Sequence, residues 1–388
     1  MPDQLAYVII TPYSLHKSRT GGILTRLLTR TGLDLVAARM FAPSQALVDE
    51  YASQAVSAAD PQDRRIQELI QEYIKTNLSP ESGGRRRRVM MLLFRGEDAV
   101  RKIRSVVGGF SVGRRGGETI RDTYGDLVTT ASGEVRYFEP AVLAAPTPEE
   151  MESKLKLWTR YSDTDGGVVE NVIAYQPGEQ PQRTLVLIKP ENFRFPTGRP
   201  GNMVDLFSRT GLYIVAIKVH RMSTAQAVEF YGPVKEVLRT KLKDMVASKA
   251  KGILEKELGF AIPAESEKQL GDVLGPVFGD NQFDNIVRFM SGRSGPECPP
   301  EQLSQPGSEK TIALVYEGVD AVRKIRDVLG PTDPSKAPPG SIRREFGSNV
   351  MVNAAHASDS EENSAREMKI VQVGENSFRR VVEDFYGK

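Results

Sequence analysis

The six-residue sequence AVRKIR occurs twice in this chain, at residues 99–104 and again, unchanged, at residues 321–326. A second match, RTGL, occurs at residues 30–33 and 209–212. Matches in the same order along both halves predict two copies of one structural unit. A chain of 388 residues is long enough for two domains that each bury a core. We therefore predict a tandem repeat, with domains at residues 1–178 and 179–388.

The spacing of these matches predicts an insertion in the second copy. RTGL is displaced by 179 residues (209 − 30) and AVRKIR by 222 (321 − 99), so about 43 additional residues lie between them. Apolar residues from Val234 to Leu258 recur at the spacing of one helix face. We therefore predict a helical insertion at about residues 232–282.

Each half contains the same series of predicted elements. A short apolar strand is followed by an amphipathic helix, a second strand, further helices and a third strand. The helix built on AVRKIR, a Gly/Pro-rich loop, and a last strand and helix complete the copy. This βαββαβ order predicts two tandem ferredoxin-like sandwiches of the α+β class, with antiparallel sheets, helices on one face, and the helical insertion in the second.

Composition excludes several classes of protein. The net charge of +2 does not favour nucleic-acid or membrane partners, and no segment is apolar for long enough to span a bilayer. Cys298 is the only cysteine, so an intrachain disulfide is excluded. No secretory signal is recognisable, and we expect a cytoplasmic protein. The four arginines at residues 85–88 leave two interpretations open: a solvated loop, or a contact with RNA or polyphosphate.

Residues suited to phosphoryl transfer are concentrated in the second half. His356, one of three histidines, lies in NAAHASDS at residues 353–360, and Glu367 follows eleven residues later. A neutral imidazole is a competent nucleophile, and a carboxylate can fix its tautomer. Three cations and two neutral hydrogen-bonding residues would bind a polyphosphate: Lys189, Arg326, Arg343, Thr332 and Asn353. The alternative is a strand histidine paired with a carboxylate, beside arginines in surface ion pairs. Residues 358–361 match a capping-box spacing for the helix that carries the glutamate.

Four motifs in this order resemble those of the nucleoside diphosphate kinase family. They are IKP at 188–190, RDVLGPTDP at 326–334, GSIR at 340–343, and NAAHASDS. The resemblance implies a ping-pong reaction, in which a nucleoside triphosphate bound with Mg²⁺ phosphorylates His356 and a nucleoside diphosphate receives the phosphate. It also implies that Glu367 orients the histidine. By the same resemblance, five residues would bind the phosphates or the ribose: Lys189, Arg326, Thr332, Arg343 and Asn353. Tyr231 would lie beside the site.

The family's assembly into dimers implies that the two copies pair within one chain as a pseudo-dimer, with further homo-oligomers left open. Departures from its pattern weaken the expectation of turnover. Ala357 replaces a glycine after the histidine, where its methyl group would crowd a phosphate, and Glu191 replaces an aspartate. The aromatic residue that stacks on the base falls at the insertion, where Phe283 or Val287 would substitute. The alternative function is therefore a catalytically weak or inactive nucleotide-binding regulatory or scaffold protein.

The first half lacks the residues expected to perform the chemistry. Aligning its last strand and helix with those of the second half places Ala144 opposite His356, Ala141 opposite Asn353, and Thr11 opposite Lys189. We therefore expect phosphotransfer only in the second domain. Arg104 and Arg121 are retained, and either bind phosphate or form ion pairs. The glycine-rich residues 108–117 form either a phosphate cradle or a flexible loop.

Overall fold

The computed structural model describes residues 2–58, 60–110 and 116–387. The strands in those ranges are β1 (Asp3–Ile10), β2 (Asp34–Phe41), β3 (Val89–Glu97), β4 (Asp126–Thr129), β5 (Val135–Glu139), β6 (Val142–Leu143), β7 (Gly166–Gly167), β8 (Pro181–Ile188), β9 (Tyr213–His220), β10 (Thr311–Val319) and β11 (Ala355–Ala357). The helices are α1 (Pro12–His16), α2 (Thr20–Thr31), α3 (Gln45–Ser53), α4 (Arg64–Asn77), α5 (Ala99–Val107), α6 (Ile120–Tyr124), α7 (Pro148–Arg160), α8 (Arg199–Ser208), α9 (Thr224–Lys241), α10 (Lys243–Leu258), α11 (Ala264–Ser291), α12 (Ala321–Leu329), α13 (Ile342–Phe346), α14 (Glu361–Ile370) and α15 (Ser377–Tyr386).

The two main sheets have equivalent strand orders. The first is β6-β1-β3-β2 with β7 added at one edge, and the second is β11-β8-β10-β9. The pairs β1–β3 and β8–β10 are antiparallel, with eight residue pairs in each. In both sheets the first strand of the copy lies between the last and the third, which is the order of the ferredoxin-like sandwich. The predicted tandem fold is confirmed.

The repeated AVRKIR sequence forms the same element in both copies. α5 and α12 each begin after an aspartate with left-handed backbone geometry, Asp98 at φ 56° and Asp320 at φ 57°. Aspartate is one of the few residues that adopts this conformation at modest cost. Ile103 and Ile325 are fully buried, because the apolar residues of each helix lie on one face. These helices pack on the central strands β1 and β8.

Helices α2 and α8 join the two copies through paired glycines. A Cβ atom placed on Gly21 would lie 2.2 Å from the carbonyl oxygen of Gly201, and one placed on Gly201 would lie 2.3 Å from that of Gly21. Only residues without side chains permit this close backbone approach. The carboxylate of Asp205, on α8, lies near the backbone N–H groups of Gly21 and Gly22 at the start of α2; burial raises the pKa of this carboxylate, and the two N–H groups oppose the rise. A negative side chain of the second copy thus lies at the N-terminus of a helix of the first, where it is favoured.

Two compact units divide the chain differently from the two sequence copies. One contains Met1–Val219 and Ile312–Lys388, and the other contains His220–Thr311. The second unit is mainly helical, with α11 packed on α9 and α10, so the predicted helical insertion is confirmed. The domain boundary at residue 178 stays a prediction. Among the described helices, none is long and apolar enough to cross a membrane.

Candidate active site

His356 lies on the short strand β11 and is held by a carboxylate from the next helix. It pairs with Leu187 of β8, and its Nε2 atom lies 2.8 Å from Oε2 of Glu367 on α14. The Ser358 hydroxyl donates to the same oxygen at 2.6 Å. Glu367 and Ser358 are buried, whereas the imidazole is 23% exposed. The His356 imidazole is therefore partly exposed to solvent, and the carboxylate that holds it is buried.

Ser358 is part of this site and does not cap the helix. The N-cap of α14 is Ser360, whose hydroxyl accepts from the backbone N–H of Asn363 at 3.0 Å. The predicted capping box at residues 358–361 is therefore wrong, because the helix begins later than its spacing implied. Sequence reasoning missed the contact between Ser358 and Glu367, since nothing local reveals a contact between residues nine positions apart.

Ala357 faces away from the imidazole. Successive side chains of a strand point to opposite faces, and Ala357 follows His356 directly in β11. Its methyl group is buried, whereas the histidine remains partly exposed. The expected crowding of a phosphate by this methyl group therefore has no support in the geometry.

Lys189, Asn353 and the loop containing Thr332 form one hydrogen-bonded network. The ammonium group of Lys189 donates to Oδ1 of Asn353 at 2.9 Å and to the carbonyl oxygen of Met351. The Asn353 amide nitrogen donates to the carbonyl oxygens of Thr332 and Val350, both at 3.0 Å. Three predicted site residues are thus brought together. Asn353 already uses both ends of its amide within the protein, while the Thr332 side chain is exposed.

The segment after β8 clamps the backbone just before the histidine. Ala354 has left-handed geometry, with φ 72°. Its carbonyl oxygen accepts from the Lys189 backbone N–H at 3.0 Å and from Nδ2 of Asn192 at 2.8 Å. Its own N–H donates to Oε1 of Glu191 at 2.9 Å. Glu191, noted in the sequence only as a departure from the family pattern, therefore fixes the strand that carries His356.

Two arginines lie on elements beside β11. Arg343 donates to the carbonyl oxygens of Ala355 at 3.1 Å and Gly330 at 3.0 Å, which places it next to His356 along the strand. Arg326 lies in the last turn of α12, a helix that packs on β8 and β11. It is exposed, and its guanidinium group has no hydrogen bond or ion pair to any residue within the described ranges. It is available to a ligand.

Burial changes the proton affinity of two groups in the site. The pKa of Lys189 is lowered to about 8, chiefly because burial desolvates the ammonium group; the charge of Glu191 opposes this change and that of Arg343 adds to it. Burial raises the pKa of Glu191 above its ordinary value, against the opposing charge of Lys189. Within the described residues, no group of three or more His, Cys, Asp or Glu side chains could hold a metal ion.

The remaining predicted site residues belong to the helical unit. Tyr231 is on α9, and Phe283 and Val287 are buried on α11. Their predicted roles beside the site and in base stacking stay predictions.

Strand pairing corrects the predicted correspondence between the copies. In the first sheet, Leu143 pairs with Ile9, as His356 pairs with Leu187 in the second. Leu143 is therefore the counterpart of the histidine, and the predicted correspondence with Ala144 was wrong by one residue. Leu143 and His356 are 213 residues apart (356 − 143), and so are the N-cap residues of the helices that follow, Thr147 and Ser360 (360 − 147).

Other residues of the first copy follow from the corrected alignment. Ala141, with φ 60°, is the counterpart of Ala354, so Pro140 and not Ala141 stands opposite Asn353. Lys154 of α7 occupies the position of Glu367 and forms an ion pair with Glu150 at 2.5 Å. The first copy thus has neither the imidazole nor its acceptor.

In the first copy, a different buried network lies at the position equivalent to Lys189. Thr11 donates to Oε1 of Glu139 at 3.0 Å, and Tyr73 donates to Oε2 at 2.7 Å. Of the retained arginines, Arg104 donates to the Pro146 carbonyl oxygen at 2.6 Å. Arg121 donates to the carbonyl oxygens of residues 108 and 142, as Arg343 does at the equivalent positions.

Two further sequence predictions concern loops of the first copy. Each arginine of the run 85–88 has a protein partner; these are Glu81 for Arg85, Asp165 for Arg86, the carbonyl oxygens of Thr76 and Asn77 for Arg87, and that of Ile214 for Arg88. The predicted glycine-rich loop at 108–117 lies partly outside the described residues, since 111–115 are not among them.

Comparison with known proteins gives consistent matches. The sequence model described as nucleoside diphosphate kinase matches residues 283–375. A nucleoside diphosphate kinase of Campylobacter hominis is 30% identical over 193 residues, covering 50% of this chain and 96% of that protein. One from Staphylothermus marinus is 30% identical over 190 residues, covering 49% and 92% respectively. A crystal structure of the Aquifex aeolicus nucleoside diphosphate kinase is 27% identical, covers 50% of this chain and 95% of that chain, and gives a TM-score of 0.31.

Proposed function

Because the chain belongs to the nucleoside diphosphate kinase family, we propose that its second copy, residues 179–388, transfers the γ-phosphate of a nucleoside triphosphate to a nucleoside diphosphate through phospho-His356. The observation that carries this proposal is the contact between the partly exposed His356 imidazole and the buried Glu367 carboxylate. Cationic side chains lie beside it.

The carboxylate selects which ring nitrogen reacts. A carboxylate only accepts hydrogen bonds, so Nε2 of His356 carries the hydrogen and Nδ1 carries the lone pair. In the first half-reaction, Nδ1 forms a bond to the γ-phosphorus, the bond from phosphorus to the bridging oxygen breaks, and the nucleoside diphosphate leaves. In the second half-reaction, the terminal oxygen of an acceptor diphosphate attacks the same phosphorus and releases the imidazole. Glu367 stabilises the positive charge on the ring at each stage.

The cations bind the polyphosphate. Arg326 is exposed beside β11 and supplies a guanidinium that pairs with two phosphate oxygens. Lys189 donates to the carbonyl oxygen of Met351 and Arg343 to that of Ala355, so both cations are held by the segment that precedes His356. An incoming anion offsets the cost of burying the lysine. Mg²⁺ enters as part of the nucleotide substrate. Asn353 and Thr332 act by holding the lysine and its loop, and Tyr231 is proposed to stand beside the bound nucleotide.

We also propose that the two copies pair within the chain in place of two identical subunits. The crossing of α2 and α8 at Gly21 and Gly201 supports this, because both backbones approach too closely for any side chain. The first copy then supplies a surface to the second without chemistry of its own, since Leu143 and Lys154 replace its catalytic pair.

The test is incubation of the full chain with [γ-³²P]ATP and Mg²⁺, followed by transfer to UDP. We expect acid-labile label on the protein, transfer of that label to UDP, and loss of both in His356→Ala. His16→Ala is the matched control, because His16 is an exposed histidine at the end of α1. Nucleotide binding without label would refute the kinase and support the regulatory or scaffold function.

A further inference from the structure

A cleft between the two copies has no role in the proposed reaction. It lies within the larger compact unit and measures about 160 Å³. The first copy contributes four residues between positions 15 and 20 together with Arg88, and the second contributes Val204 and Ser208 of α8, residues 211–214, and Tyr316. The cleft is therefore large enough for several water molecules or for a small anion.

Arg88 gives the cleft a positive charge that forms no ion pair among the described residues, although Glu317 lies near enough for its charge to raise the pKa of the guanidinium against the effect of burial. One guanidinium nitrogen donates to the Ile214 carbonyl oxygen at 2.5 Å, and the Tyr213 ring centroid lies 5.1 Å from the guanidinium carbon. Neither partner is charged, and among the described residues Arg88 forms no ion pair. By contrast, Arg85 and Arg86 of the same run are paired with Glu81 and Asp165. The residues that line the cleft include no aspartate or glutamate.

Tyr316 adds a buried hydroxyl group to the same cleft. Its side chain is 1% exposed, and its hydroxyl oxygen has no hydrogen-bond partner among the described residues. Burial, and after it the negative charge of the nearby Asp205, raises the pKa of this phenol well above its ordinary value, so the group is a hydrogen-bond donor. A buried donor without an acceptor is destabilising. The equivalent residue of the first copy is Phe94, which shows that the fold itself does not need the hydroxyl.

We propose that this cleft binds a small oxyanion, a phosphate monoester or a carboxylate, between Arg88 and Tyr316. A guanidinium group donates paired hydrogen bonds to such anions, and the phenol supplies a further donor. Thr20 and Ser208, which both carry hydroxyl groups, also line the cleft. Because the lining comes from both copies, a bound anion stabilises their pairing by linkage. The proposal does not depend on catalysis at His356.

The test measures thermal unfolding of the full chain as a function of inorganic phosphate, with succinate in a second titration to separate phosphate from carboxylate ligands. We expect Arg88→Gln to weaken the response at least about tenfold, whereas Arg85→Gln leaves it unchanged. Phosphate bound at the proposed active site contributes equally in both variants and so cancels. An equal response in the two variants would overturn the proposal.

A second variant separates binding from folding. We expect Tyr316→Phe to weaken the response several-fold without lowering the unfolding temperature in the absence of anion, because it removes a hydroxyl that has no partner. A loss of anion-free stability would contradict the proposal by showing that the hydroxyl already serves the fold. Crystals of the full chain soaked in tungstate should show an anomalous peak in the cleft of the wild type, absent in Arg88→Gln. A wild-type cleft without that peak counts against the site.

Discussion

The Nε2 atom of His356 lies 2.8 Å from Oε2 of Glu367, and that oxygen also accepts the Ser358 hydroxyl at 2.6 Å. Glu367 is a buried residue of α14, the helix that follows the strand carrying the imidazole. A strand side chain held by a helix side chain has a fixed orientation, because both backbones are rigid. The nucleoside diphosphate kinase reaction proposed for this chain therefore starts from an imidazole whose tautomer is already set.

Replacing Glu367 by glutamine should slow the formation of phosphohistidine by roughly ten- to a hundredfold. Hydrogen bonds to charged groups are worth about 1.5–3 kcal/mol, and glutamine keeps the volume while removing the charge. Single-turnover labelling with [γ-³²P]ATP measures this rate. Glu362→Gln, at an exposed position on the same helix, is the control and should label at the wild-type rate. Equal rates in the two variants would show that the carboxylate does not assist the histidine.

Lys189 should make stability depend on pH in the alkaline range. Its pKa is about 8 in the folded protein and 10.5 as the ordinary value, so between these pH values the unfolded chain binds more protons. The stability of the folded chain therefore rises as the pH increases from about 8 to 10.5, because the buried amine is then neutral. Below about pH 8 the lysine is charged, and the full cost of burying that charge is present. Urea unfolding of Lys189→Met should lack this rise. The same slope in wild type and variant would show that the lysine is not destabilised by burial.

Ala357→Gly should leave turnover within about twofold of the wild type, since the methyl group lies on the opposite strand face from the imidazole. Steady-state phosphate transfer from ATP to UDP measures the effect. A large gain in kcat would mean that the methyl group obstructs the phosphate, as its position in the sequence first suggested.

Gly21→Ala should destabilise the chain by about 1–3 kcal/mol, because the new methyl group would lie 2.2 Å from the Gly201 carbonyl oxygen and 2.1 Å from the Asp205 carboxylate. Urea unfolding gives the free energy. Gly252→Ala on α10 is the matched control, since nothing lies within 4 Å of its added Cβ. That variant should be neutral or slightly stabilising, as expected for alanine in a helix. Equal effects would mean that the two backbones separate at little cost.

The repeat was predictable from sequence because the same residues, AVRKIR, form the equivalent helix in both copies. The register of the last strand was not predictable in this way. Residues 141–145 and 353–357 are rich in small apolar side chains, which fit either of two neighbouring alignments, and the acidic pairs that follow favoured the wrong one. Hydrogen bonding to the left-handed Ala141 and Ala354 determines the register. The contacts of Ser358 and Glu191 were also hidden, because they depend on elements that meet only in the folded chain.

Restoring a histidine to the first copy should not restore its chemistry. In His356→Ala/Leu143→His, the new imidazole would face Lys154, a buried cation, where the second copy has Glu367. A cation cannot accept the Nε2 hydrogen, and it disfavours the positive charge that forms on the ring. Thr11 and Pro140 further replace the lysine and the asparagine. We therefore expect no acid-labile label after incubation with [γ-³²P]ATP and Mg²⁺, even when Lys154→Glu is added. Label on the triple variant would show that the first copy still binds the polyphosphate beside β6 and has lost only its catalytic pair.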